Sequence, residues 1–113
     1  MSVGRLLSFG LAAVMAAGCS PSPAVETYEG EYFYNFENAV LTPTGRTDER
    51  WCIQGDLSKA ELPATHPTGP WGTSYVVVRG TLGPLGKYGS LGSCKRVLVV
   101  SELVRFTNMR RGP

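Results

Sequence analysis

The pattern of hydrophobic and polar positions along the chain predicts five β-strands. Tyr32 and Tyr34 alternate with Glu31 and Phe33, and this period of two is typical of a half-buried strand. Two later runs are continuously β-branched or apolar, which indicates strands near the centre of the fold. The predicted strands span residues 28–37, 39–42, 50–55, 73–82 and 95–104.

One segment between the third and fourth strands carries a helix signal. Ser58 and Glu61 have the spacing of an N-terminal capping box, and Pro63 ends the segment, so only one or two helical turns fit. Three strands, a short helix and two strands is the order of the OB-fold, a five-stranded Greek-key barrel. We therefore predict a mainly β fold, a small five-stranded OB-like barrel with one short helix between strands three and four. Another small antiparallel barrel or a two-layer sandwich is the alternative.

The first 18 residues have the composition of an export signal. Arg5 precedes an apolar run over residues 6–17, which ends in small residues directly before Cys19. The run is shorter than the roughly 20 residues that a permanent membrane-spanning helix needs. We predict a lipoprotein signal peptide over residues 1–18 and lipidation of Cys19, with palmitate among its acyl chains. An ordinary signal peptide cut shortly before Cys19, or a fortuitous apolar start, is the alternative.

The remaining chain suits one small domain. Residues 19–27 are predicted to be the lipidated cysteine and a Pro/Ser tether, residues 28–106 the OB-like domain, and residues 107–113 a flexible basic tail. Ser20 follows the anchor where inner-membrane retention in enterobacteria uses Asp. In a host with two membranes we therefore predict a lipid-anchored envelope protein at the periplasmic face of the outer membrane, with the membrane as its first partner.

Two cysteines outside the leader are candidates for a disulfide. Export places Cys52 and Cys94 in an oxidising compartment, and strands three and five of an OB-fold run parallel, which brings both cysteines to the same end of the sheet. A pair of free buried thiols is the alternative. His66 is the only histidine and no C-x-x-C is present, so we predict no metal site and no cofactor.

Charge divides the chain into two halves. Residues 26–61 hold eight acidic and three basic side chains, a net charge of −5, whereas residues 62–113 hold one acidic and seven basic side chains, a net charge of +6. Mutual neutralisation of neighbouring strands explains this division. The alternative is a basic patch that faces phosphates or lipid headgroups.

The loop over residues 83–93 contains four glycines and is the candidate binding rim. Gly86 and Lys87 are followed by Tyr88 instead of Ser or Thr, so the phosphate-loop pattern fails. Lys87 and Tyr88 lie near the predicted loop tip, where they suit contact with a sugar or a base, and Trp51 on the third strand extends the same surface. A purely structural hairpin loop, with glycines for positive φ, is the alternative.

Catalytic patterns are not found in the sequence. Nucleophilic catalysis needs a Ser or Cys with a His and an acid, and His66 lies in a Pro-rich loop with no G-x-S-x-G motif anywhere. We therefore predict no catalytic residues and no enzymatic activity. Nucleic acid is not a predicted partner.

Several segments resemble small OB-like domains of bacterial envelope proteins. The segments are residues 32–43, 51–56, 76–80 and 85–89, and their arrangement is similar to the C-terminal OB domain of NlpE-type lipoproteins. That family is tied to copper resistance and envelope stress. The C-x-x-C of its N-terminal domain is not found in these 113 residues, so the resemblance implies neither copper binding nor stress signalling.

These patterns together predict a non-catalytic binding module. We expect a lipid-anchored protein of the cell envelope that binds a partner protein or an envelope oligosaccharide. The alternative from another class is an inhibitor or accessory subunit of a cell-wall-active enzyme. A small hydrolase is the third hypothesis, and it would need His66 beside a carboxylate and a hydroxyl in a deep pocket.

Overall fold

Strands make up most of the described part of the chain, and the predicted mainly β class is confirmed. The computed structural model describes residues 24–64 and 70–112. The five strands are β1 Glu26–Tyr34, β2 Ala39–Pro43, β3 Trp51–Gln54, β4 Gly72–Leu82 and β5 Arg96–Arg111.

The strands pair in a closed ring with the order β1-β2-β3-β5-β4. Every neighbouring pair is antiparallel except β3 and β5, which are parallel with Trp51 opposite Arg96 and Ile53 opposite Leu98. The predicted parallel pairing of strands three and five is therefore confirmed. It places the starts of both strands at one end of the ring, beside the start of β1 and the end of β4.

Alternating side chains from all five strands fill the interior. Tyr32 and Tyr34 of β1 point inward, as their period predicted, and their rings stack with centroids 5.3 Å apart. The continuous apolar run of β4 is buried almost throughout, which agrees with its predicted central place. The buried core contains Tyr32, Tyr34, Leu41, Trp51, Leu57, Ala60, Val76, Val78 and Leu98.

Gly30 marks the closest approach between β1 and β2. A Cβ at this position would lie 2.2 Å from the carbonyl oxygen of Thr42. A residue with a side chain would therefore fit here only if the backbone moved. Glycine therefore lets β1 bend around the core while it pairs with β2 on one edge and β4 on the other. On the far side of the ring, three register shifts between β4 and β5 coil the long β5 in the same way.

The predicted helix between strands three and four is wrong. Within residues 55–64 only one 3₁₀ turn forms, at Ser58–Ala60, and the backbone is extended at Glu61 directly after it. Ser58 does not cap the turn; its backbone N–H donates to the Asp56 carboxylate at 2.9 Å. The Glu61 carboxylate, which a capping box would direct back to the turn, instead accepts a hydrogen bond from Tyr32 Oη. A contact to the core has therefore replaced the local cap.

The limits of β1 and β5 also differ from those predicted for these strands. β1 begins at Glu26, inside the predicted tether, and β5 continues to Arg111, inside the predicted basic tail. Polar residues extend both strands because their outward faces are solvated while their backbones pair with β4. Arg110 in addition forms a 2.6 Å ion pair with Glu31. At the other end of β1 the strand stops at Tyr34, three residues before the predicted end.

The predicted disulfide is confirmed. Cys52 of β3 and Cys94, two residues before β5, are bonded with their Cα atoms 5.5 Å apart. The bond joins the start of β3 to the loop that connects β4 and β5. The predicted signal peptide, Cys19, the first part of the tether and His66 lie outside the described residues.

Candidate functional site

A cleft opens at the end of the ring where β1, β3 and β5 begin. It has a volume of about 230 Å³. The start of β1, the end of β2, the turn after β2 and the first residue of β3 form its walls. The residues that line it are Thr27, Tyr28, Glu29, Pro43, Thr44, Arg46 and Trp51.

The floor of the cleft is aromatic. Trp51 is 1% exposed, and the ring of Tyr28 meets it edge to face with centroids 5.4 Å apart. The guanidinium of Arg46 lies above the same indole, 5.9 Å from its centroid, at the distance of a cation–π contact. Arg46 is exposed and has no ion pair among the described residues. The cleft therefore presents a positive charge over an apolar base.

Two consecutive turns place Arg46 at the cleft. The backbone N–H of Arg46 donates to Pro43 O at 3.1 Å, and Gly45 between them has a φ of +85° that other residues adopt with strain. The carbonyl of Arg46 then accepts from the N–H of Glu49 at 3.0 Å. These bonds hold the segment against β1, where Thr44 N donates to Glu29 O.

A second arginine braces the floor from within the ring. Glu49 Oε1 accepts a 2.8 Å hydrogen bond from the indole Nε1 of Trp51 and lies 3.9 Å from Arg96 Nε. Arg96 Nη1 also donates to the carbonyl of Gly83 at 2.8 Å. One partly buried carboxylate thus contacts both the indole and an arginine that reaches the β4–β5 loop. Polar contacts through Glu49 and Arg96 therefore link the cleft floor to this loop.

The outer wall of the cleft is a short polar network. Tyr75 Oη of β4 donates to Glu29 Oε2 at 2.5 Å, and Thr44 Oγ1 lies 2.8 Å from the same hydroxyl. The hydrogen bond to the Glu29 carboxylate raises the pKa of Tyr75, while the bond with Thr44 acts in the opposite direction. Glu29 and Thr44 therefore add a carboxylate and a hydroxyl to the lining that contains Arg46, and Tyr75 is hydrogen-bonded to both of them.

Tyr28 is held in its neutral form. Burial raises the pKa of Tyr28, the nearby Glu26 carboxylate raises it further, and Arg46 and Arg96 partly oppose both effects. A neutral phenol with a polar tip at the edge of an apolar floor suits hydrogen bonding to a ligand.

The cleft contains the groups of a binding site. Its lining has a guanidinium, two kinds of hydroxyl and one carboxylate, and it has no Ser, Cys, His or Lys that would serve as a nucleophile or its base. Glu29 is the only acid in the lining, so the paired carboxylates of a glycosidase are also missing there. This composition suits recognition of a polar or anionic group.

The structure divides the three predicted rim residues between two places. Trp51 lines the cleft, but its burial makes it a floor and not a stacking platform. Lys87 and Tyr88 lie in the β4–β5 loop and do not line the cleft. Tyr88 is half-buried, its hydroxyl donates to Pro84 O at 3.0 Å, and its ring covers Gly86. Tyr88 therefore closes its own loop, while the Lys87 side chain is exposed.

Sequence reasoning missed Tyr28 and Arg46, the side chains that flank the indole. Arg46 lies between the second and third predicted strands, where no binding-site pattern was found, and Tyr28 begins a predicted strand whose later residues carry the clear period. The register of β1 and β3 on β2 brings them together, with Gly30 opposite Pro43 and Leu41 opposite Trp51. A signal did exist, because an arginine directly after a Pro-x-Gly turn is placed at a strand end.

Other kinds of site were not found in residues 24–64 and 70–112. No group of three His, Cys, Asp or Glu side chains suits a metal ion there. Within the same residues no helix is long and apolar enough to cross a membrane. The chain matches no protein-family model, no curated protein and no solved structure. The cleft is therefore the candidate site that the structure itself provides.

Proposed function

We propose that the chain is a lipid-anchored protein of the cell envelope whose domain is an OB-like barrel that binds a ligand without catalysing a reaction. The ring order β1-β2-β3-β5-β4 with its parallel β3–β5 pair supports the OB-like assignment, since the OB-fold is a five-stranded Greek-key barrel. A single 3₁₀ turn takes the place of the usual helix. The resemblance to OB domains of envelope lipoproteins is part of this proposal.

The observation that carries the binding function is the exposed Arg46 guanidinium above the buried Trp51. A charged group that forms no ion pair within residues 24–64 and 70–112, held by two turns over an apolar floor, is arranged for a ligand that supplies the negative charge. Glu29, Thr44 and Tyr28 add acceptors and donors for hydroxyl groups. We propose as ligand an envelope oligosaccharide that carries carboxylates, of which one sugar unit occupies the cleft.

The test is calorimetric titration of the chain from Cys19 onward with acidic oligosaccharides released from bacterial cell wall. We expect binding that weakens with added salt, because the main contact is charged. Arg46→Ala should abolish it. The matched control Lys59→Ala removes an exposed charge from the 3₁₀ turn at the opposite end and should leave binding unchanged. Equal binding by the Arg46 and Lys59 variants would refute the proposed site.

Anchoring at Cys19 is proposed from the leader pattern alone and needs its own test. Cells that express the chain are fed an alkyne analogue of palmitate, and the protein is then probed for label. The wild type should be labelled and Cys19→Ala should not. Fractionation then distinguishes the outer from the inner membrane. Label in the Cys19→Ala variant would contradict lipidation at Cys19.

The free edge of β5 favours the second candidate function, an inhibitor or accessory subunit of a cell-wall-active enzyme. β3 covers β5 only from Arg96 to Val99, so the outer edge beyond Val99 pairs with no strand of the described residues. Such an edge accepts an extended segment of another protein. Its bulges and arginines also discourage unspecific pairing. A photo-crosslinker at Thr107 that captures a wall-active enzyme, with no capture from Lys59, would favour this function.

A further inference from the structure

We propose that the β4–β5 loop, residues 83–95, is a membrane-contact surface that inserts Leu85 and Leu91 between the headgroups of an anionic bilayer. Lys87 and Lys95 bind the lipid phosphates beside them. The inference rests on the proposed lipid anchor, and it adds the orientation in which the anchored domain stands on the membrane.

The conformation and exposure of Leu91 indicate that its side chain contacts a partner. It is 104% exposed and its φ is +57°, inside the left-handed region that disfavours a branched side chain. Asn108, the other non-glycine residue with positive φ in the described chain, is a type that tolerates this conformation. Leu91 thus combines backbone strain with full exposure and packs against none of the residues that the structure describes. The strained backbone of Leu91 is explained if its side chain contacts a partner outside the domain.

The loop contains a second exposed leucine and no acid. Leu85 is 64% exposed. Residues 83–101 include Lys87, Lys95 and Arg96 and no Asp or Glu, and both lysine side chains are exposed. Leucines flanked by lysines are the composition of segments that lie in the interface of an anionic membrane, where the apolar groups insert and the cations meet phosphates.

The loop and the anchor belong to the same end of the ring. Glu26, the first residue of β1, pairs with Gly80 of β4, and the loop begins only three residues after Gly80. The chain from the anchor therefore enters the ring at the end from which the loop leaves. The seven residues 19–25 reach at most about 25 Å when fully extended. A short tether at this end keeps the loop near the bilayer.

The loop is braced, so its leucines are presented in a defined place. Its two arms continue the β4–β5 ladder, with Gly83 N bonded to Val97 O and Gly86 N to Lys95 O. Cys94 anchors it to β3 through the disulfide. A rigid loop loses little conformational entropy when it inserts, which favours binding.

The experiment couples the protein to vesicles and reads the exchange of its amide hydrogens. Cys52 and Cys94 are bonded to each other, so Cys19 is the only free thiol of the three cysteines. The chain from Cys19 onward is joined through this thiol to a maleimide lipid in phosphatidylglycerol vesicles. We expect peptides that cover residues 85–93 to exchange several-fold more slowly than in the uncoupled protein. The turn at residues 35–38, at the opposite end, should exchange as before.

Two double variants decide which side chains are responsible. Leu85→Ser with Leu91→Ser should abolish the added protection, and Lys87→Ala with Lys95→Ala should reduce it. Phe36→Ser is the matched control, because Phe36 is 67% exposed at the opposite end of the ring. Unchanged exchange in residues 85–93, or protection that appears at residues 35–38 or along β5 instead, would overturn the proposal. The coupling is chemical, so the result does not depend on lipidation of Cys19 in cells, which the palmitate label tests by itself.

Discussion

Tyr32 Oη donates a 2.6 Å hydrogen bond to Glu61 Oε2, across 29 residues of sequence. The bond ties the segment that covers one end of the ring to β1 two residues before this strand ends. Tyr34 makes the matching contact, since its hydroxyl accepts from the backbone N–H of Leu62 at 2.7 Å. Two neighbouring inward tyrosines of one strand therefore hold the segment that the sequence marked as a helix.

This bond predicts a loss of stability in alkali. Burial and the Glu61 carboxylate raise the pKa of Tyr32 well above its ordinary value of 10.0. In the unfolded chain Tyr32 releases its proton first, so the folded state binds more protons above pH 10 and stability falls as pH rises. The slope for one proton is about 1.4 kcal/mol per pH unit. Urea unfolding on both sides of pH 10 should show it.

Two variants separate Tyr32 from other alkaline effects. Tyr32→Phe should reduce the slope of the unfolding free energy against pH by the contribution of about one proton. Glu61→Gln, which keeps an acceptor but removes the charge, should give an intermediate slope. An unchanged slope in Tyr32→Phe would show that other groups cause the loss.

The disulfide predicts a second stability difference. Replacing Cys52 and Cys94 by Ala should cost on the order of 2–5 kcal/mol, because the bond closes a loop with a sequence separation of 42 residues. The measurement is urea unfolding in a Cys19→Ser background, and reduction of that protein should reproduce the loss. Reactive thiols in the denatured, unreduced Cys19→Ser protein would contradict the bond.

Gly30→Ala and Gly45→Ala are expected to destabilise the fold by different amounts. Gly30→Ala puts a Cβ 2.2 Å from a backbone oxygen of β2, so the strands must part, at about 3 kcal/mol or more. Gly45→Ala meets nothing within 4 Å and bears only the strain of positive φ, roughly 1 kcal/mol. Thermal unfolding of the two variants should rank them in this order. Equal losses would mean that β1 and β2 can separate at little cost.

The burial of Trp51 predicts a characteristic fluorescence emission from the cleft floor. Its indole is buried, whereas Trp71 is about half exposed. Trp51→Phe should remove the short-wavelength part of the emission and leave the long-wavelength part from Trp71. The loss of the hydrogen bond to Glu49, a charged acceptor, should cost about 1.5–3 kcal/mol. Emission that keeps its shape in Trp51→Phe would place the buried indole elsewhere.

The strands were predictable because their signals are local. The period of Tyr32 and Tyr34 and the apolar run of β4 each identify an element without any knowledge of its neighbours. The helix prediction failed because Glu61 has a long-range partner in Tyr32 that a local pattern cannot show. Arg46 could not be assigned for the same reason, since it becomes a site residue only when the β-ladder brings Tyr28 to its side.

The parallel pairing of β3 with β5 also sets the order in which the molecule can form. β5 is the last of the five described strands, yet it supplies an edge to both β3 and β4, and Cys94 lies two residues before it. A chain that leaves a ribosome or crosses a membrane from its N-terminus has the first four of these strands, and Cys52 without its disulfide partner, until Cys94 and β5 arrive. The core therefore stays open until β5 has emerged, and closing it depends on contacts distant in sequence, which fold slowly.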